Sequence, residues 1–147
     1  MLKTITATLA AAALVAGATG AVAQVGEELI AQQLARAVEA FANNGMQGVL
    51  QLNGRMSLAE GGTGATSIRL DTAGSYVVLG VCDEDCSNFD LTVRSEDGSE
   101  MGSDVLDDDA PVVAFDAEAG ALYEITGSMV ACQRAPCLAG VAVYRAG

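Results

Sequence analysis

Residues 76–91 read YVVLGVCDEDCSNFDL: an apolar run, an acidic loop bracketed by cysteines (Cys82-Asp83-Glu84-Asp85-Cys86), and a second run that alternates apolar and polar from Phe89. A period of two with one face apolar is the pattern of a β-strand, and a short, almost wholly apolar run is that of a strand buried on both faces. The same unit recurs near the C-terminus. LYEITGSMV (122–130) leads into Cys132-Gln133-Arg134-Ala135-Pro136-Cys137, and LAGVAVYR (138–145) leads out. Two strand, cysteine loop, strand units therefore frame the second half of the chain. Four cysteines in an oxidising compartment read as two disulfides with three possible connectivities, and the short separations favour Cys82 with Cys86 and Cys132 with Cys137. By loop closure alone such local bridges stabilise by roughly 2 kcal/mol each, against about 4 for a crossed pair. A four-thiolate zinc site would need reduced thiols and usually closer C-x-x-C spacing.

The redox reading rests on export, and the N-terminus supports it. Lys3 supplies a positive start, residues 5–15 are apolar and rich in alanine, and Ala21-Val22-Ala23 before Gln24 fits a small-x-small cleavage site. This predicts a signal peptide over 1–23, cleavage after Ala23, and a periplasmic or secreted mature chain. The apolar run is too short to span a membrane. The net charge of −12 becomes −13 once Lys3 is lost, a balance that repels nucleic acid and anionic lipid. With neither His nor Trp, imidazole-based catalysis and a large aromatic sugar platform are both absent.

Outward from the cysteine units, residues 26–44 carry the only convincing helical period. Ile30, Leu34, Val38 and Phe41 form one stripe, with Glu28, Gln32, Arg36 and Glu39 opposite. Glu27 and Glu28 are expected in the first turn, and Asn43-Asn44-Gly45 is a stop. A helical unit over 24–45, laid on an edge or end of a β-domain over 46–147, follows. Asn53-Gly54 between short apolar runs predicts a tight hairpin, and residues 60–64 read as a flexible connector. Strands are expected over 67–70, 75–81, 89–94, 100–103, 112–115, 121–130 and 138–145, with an acidic loop over 104–109. Turns at such short, regular intervals predict an all-β, antiparallel β-sandwich of about seven or eight strands with one N-terminal amphipathic helix.

The order G-x-Y-x-x-x-G-V-C-D-x-D-C-x-x-x-D-L, an Asp-rich loop before P-V-V, then G-x-x-Y-x-I, C-x-x-x-P-C and G-V-x-V-Y resembles the bacterial pre-peptidase C-terminal domains. Gly74, Tyr76, Asp90-Leu91, Asp107-Asp108-Asp109, Pro111-Val112-Val113, Gly120, Tyr123, Ile125, Pro136 and Tyr144 carry the match together with the cysteines, over about residues 48–147. The resemblance implies a jelly-roll-like sandwich on a secreted bacterial protein, sometimes standing alone, not itself a catalyst, with some relatives binding calcium or extracellular polymers. Where the family pattern reads D-x-D-L this chain has Asn88, an amide in place of a possible carboxylate ligand.

Calcium takes six to eight oxygens converging from loops. Asp83, Asp85, Asp90, Asp107, Asp108 and Asp109, with Asp104, are the expected ligands if the two acidic loops share one end of the sandwich. The spacing is not that of an EF-hand, since Asn88 and Arg94 stand where Gly and Glu are needed. The competing reading is solvated turn acids that keep the chain soluble and discourage edge pairing. Catalysis has little to build on. Ser-His-Asp and Cys-His sites are impossible without His, and Asp71-Thr72-Ala73-Gly74-Ser75 departs from an aspartic-protease motif by an inserted Ala and has no second copy. The expected function is a non-enzymatic, exported binding or accessory domain, stabilised by calcium, that meets a protein or extracellular polymer. The alternatives are a structural envelope protein that forms homo-oligomers without metal, and a hydrolase using a carboxylate pair.

Overall fold

A computed structural model of the protein describes residues 19–48 and 54–146. One helix, α1 (Thr19–Asn43), precedes nine strands: β1 (Gln47–Gly48), β2 (Gly54–Leu58), β3 (Thr63–Leu70), β4 (Gly74–Cys82), β5 (Cys86–Ser95), β6 (Glu100–Asp104), β7 (Val112–Ala117), β8 (Ala121–Cys132) and β9 (Cys137–Arg145). They form two antiparallel sheets. The first runs β1-β9-β4-β7, with β2 also paired to β9, and the second runs β3-β8-β5-β6. From β2 onward the chain winds back and forth between the sheets so that β2-β9-β4-β7 faces β3-β8-β5-β6. That is the jelly-roll winding of a double-sheet sandwich.

The side chains explain the winding. In β7, Val113, Phe115 and Ala117 point inwards while Val112, Ala114 and Asp116 are exposed, an alternation with one buried face. The core between the sheets is built from such inward sets: Tyr76, Val78 and Cys82 of β4, Phe89, Leu91 and Val93 of β5, Tyr123, Ile125 and Met129 of β8, and Ala139, Val141 and Val143 of β9. The strands β4 and β9 are different because α1 covers their outer face. Val81, Gly140 and Tyr144 face away from the sandwich core yet are buried, which is why these two strands are almost continuously apolar in sequence. The stripe read from the sequence makes this contact. Ile30 is fully buried over Gly140, Leu34 is beside it, and the Phe41 ring stacks on Tyr144 with centroids 4.3 Å apart. Glu28, Gln32, Arg36 and Glu39 face solvent, as their placement opposite the stripe requires. An ion pair between Glu27 and Arg55 (3.4 Å) ties the helix to β2.

The fold departs from the sequence reading in several places. The helix begins at Thr19, so Glu27 and Glu28 stand two turns inside it instead of in its first turn. Its C-terminus stops as expected: the Gly45 amide donates to Ala42 O and the Met46 amide to Phe41 O, with Gly45 at φ 78°. The hairpin expected around Asn53-Gly54 falls on 49–53, outside the described residues. Both β1 and β2 pair with β9, in line along one edge, and the chain goes from Gly48 to Gly54 while its partner moves only from Tyr144 to Val141. Thr63 and Gly64, read as connector, already belong to β3 and pair with Ser128 and Gly127.

Gly140 sets how closely the helix can approach. A methyl group there would stand 2.6 Å from Ile30 Cγ2 and 2.8 Å from Arg55 Nη1. Gly140→Val is therefore expected to cost about 1–3 kcal/mol by overpacking. Amide exchange should show the cause: protection should fall in α1 first, while β5 and β8 keep theirs. Uniform loss across the sandwich would show that the helix is not a separately displaceable layer.

Candidate functional site: a disulfide-closed end with an acidic flank

The two bridges are Cys82–Cys86 and Cys132–Cys137, with Cα–Cα distances of 5.9 and 6.0 Å. Each spans a corner where the chain changes sheet. Cys82 ends β4 in the first sheet and Cys86 opens β5 in the second; Cys132 ends β8 in the second and Cys137 opens β9 in the first. Because β4 neighbours β9 and β5 neighbours β8, with Cys86 paired in register to Cys132, the two bridges lie side by side and join the sheets at one end. The corner loops also hold each other, through the Gln133 amide on Asp85 O (2.8 Å) and an Arg134–Asp85 ion pair at 4.0 Å. Two disulfides among the described residues, with no free cysteine, indicate an oxidising, extracytoplasmic environment. No described helix is long and apolar enough to cross a membrane.

The predicted acids divide into two groups. Asp83 is buried, and its carboxylate accepts from the Asp85 amide (3.2 Å) and from the Leu138 amide (2.8 Å), 55 residues along the chain. It is a structural clamp between the first corner and β9. Asp85 is taken up by Arg134.

Asp90, Asp107 and Asp108 lie where the loop from β6 to β7 runs along β5. The Phe89 amide donates to Asp108 O (2.9 Å), and Asn88 Nδ2 donates to Asp107 Oδ1 (3.1 Å). Asp104 caps the loop, accepting from the Leu106 amide (3.2 Å) and the Val112 amide (2.8 Å), and Asp108 accepts from the Ala110 amide (3.0 Å). Asp109 is exposed on the same loop. At the centre of this flank, Asn88 Oδ1 and Asp90 Oδ1 are both shut off from solvent and have no hydrogen-bond partner in the protein. Burial pushes the Asp90 carboxyl above its ordinary range, and the nearby charges of Asp104, Asp108 and Asp107 push it further. Among the described residues no three acids or cysteines are already gathered as ligands of one ion.

Asp97 shows the opposite behaviour. In the β5–β6 turn its carboxylate accepts from Ser95 Oγ and the Ser99 amide, which hold its pKa down to about 2. It is a turn-former with its bonds satisfied, whereas Asp90 is a carboxylate without them. Asn88 entered the sequence reading as a missing carboxylate, yet the structure makes its amide the contact that holds Asp107. Its orphaned oxygen had no signal in sequence, because burial at a register shift in β5 produces it.

No model of a known protein family matches the chain, and no curated protein matches it.

Proposed function

We propose that the protein is an exported, non-enzymatic accessory domain of the pre-peptidase C-terminal kind, which meets a protein or extracellular polymer and is stabilised by calcium on its acidic flank. The observation that carries the calcium part is the pair of buried, unpartnered oxygens, Asn88 Oδ1 and Asp90 Oδ1, beside three further carboxylates. An unsatisfied buried polar atom costs about 1–3 kcal/mol, more when charged, so the flank as it stands favours a cation. Calcium is a hard ion that accepts carboxylate and amide oxygens alike. Asn88, Asp90, Asp104, Asp107 and Asp108 would hold it, and it would supply positive charge that fixes the β6–β7 loop to β5. Asp83 and Asp85, already engaged, are not needed. The jelly-roll winding and the cysteine corners agree with the resemblance in the sequence.

Thermal unfolding of the oxidised protein in chelator, in millimolar calcium, and in magnesium tests this. At about 100 times its dissociation constant calcium should add roughly 2.7 kcal/mol and raise Tm by several degrees. Asp90→Asn should remove the shift. In chelator the same variant should raise Tm at neutral pH, because a carboxyl whose folded pKa is raised contributes stability at low pH that is lost as pH climbs through that folded value. Equal midpoints with and without calcium would remove the ion from the proposal.

A further inference from the structure

The loop between β6 and β7 also carries an apolar pair with no packing role. Val105 and Leu106 are 66% and 67% exposed, the most exposed large apolar side chains among the described residues, and Val112, 45% exposed, lies at the foot of the same loop. Their neighbours in the chain are Asp104, Asp107, Asp108 and Asp109. The pair is held in place: the Leu106 and Val112 amides are bound by Asp104, the Asp108 amide donates to Leu106 O, and the Gly80 amide grips Pro111 O at the base. A loop whose backbone is already fixed costs less to order on docking.

Charge selects the occupant. Four aspartates flanking the pair in sequence, on a chain of net charge −12, repel an anionic membrane surface and the same loop on a second copy. We infer that the tip Val105-Leu106 is a docking knob for another protein, one that offers an apolar pocket rimmed by lysine or arginine. This inference rests on the reading of the protein as a binding domain and names the surface it uses.

Benzoylphenylalanine, a photo-crosslinking side chain, placed at Leu106 in the full-length protein expressed in its own organism tests the knob, with the same probe at Gln133 and Thr126 as controls. The expected result is one discrete adduct from position 106 whose linked peptide lines an apolar pocket bordered by basic residues. With the probe moved to Val112, adduct yield should fall roughly 30-fold for Val105→Ser with Leu106→Ser, the loss expected of a truncated interface anchor. It should fall with rising salt, and fall less steeply with salt for Asp109→Asn. Val105, Leu106 and Asp109 are exposed on this loop, so folding can be checked by unchanged Tm in chelator. An adduct to a second copy of the chain, to lipid, or to a partner without a basic rim would overturn the knob. So would partner adducts from position 133 or 126 and none from 106, which would leave the binding-domain reading standing. No adduct from any position would sink both.

Discussion

Phe89→Ala should destabilise the protein by about 4–5 kcal/mol, the upper part of the range for buried Phe. The reason lies in what surrounds the ring. Phe89 is fully buried, and its ring spans from Gly80 on β4 of one sheet to Gly127 on β8 of the other. A methyl group at Gly80 would be 3.0 Å from Phe89 Cε1, and one at Gly127 would be 2.5 Å from Cζ. Removal therefore leaves a void walled on two sides by backbone, with no side chain at either glycine to lean in. Against a total stability of 5–15 kcal/mol, this variant should unfold at markedly lower urea with unchanged m. Gly127→Ala should be harmful alone but less so in the Phe89→Ala background, a coupling that a double-mutant cycle would measure. Additive losses would show that the ring does not occupy the space over Gly127.

Removing both disulfides should have an effect of similar size, reached by another route. Each bridge closes a loop of only four or five residue steps, so the chain-entropy estimate is about 2 kcal/mol apiece and about 4 together. For a domain of this length that corresponds to roughly 15 °C in Tm. The doubly substituted variants Cys82→Ser with Cys86→Ser, and Cys132→Ser with Cys137→Ser, should each lose less than half. Because the bridges sit side by side across the same pair of sheets, either alone still holds that end. Loss of the second should then cost more than loss of the first. Calorimetry of the three variants separates that cooperativity from simple addition.

Much of this was legible in the sequence, for identifiable reasons. The strands from 67 to 145 showed because each keeps one face apolar, and the local cysteine pairs showed because each joins the ends of one short corner. The helix stripe showed because Ile30, Leu34 and Phe41 meet a single surface. What failed was decided by distant partners. Asp83 looked like a loop acid, but the Leu138 amide claims it, and no local pattern announces an amide 55 residues away. Contact with a distant strand, which local preference cannot see, fixed the outcome there. The orphaned oxygens of Asn88 and Asp90 likewise exist only because the loop from β6 folds back over β5.

The bridges join cysteines that are consecutive in the chain, so the covalent topology is that of an almost open string. Only residues 83–85 and 133–136 lie inside closed rings. Fully extended at about 3.4 Å per residue, those seven residues represent roughly 24 Å of contour. No segment is threaded through another by a bond, and joining each cysteine to the next one made already gives the native pairing. The oxidised chain therefore keeps nearly all the reach of the reduced one when unfolded, while its folded form is clasped at one end.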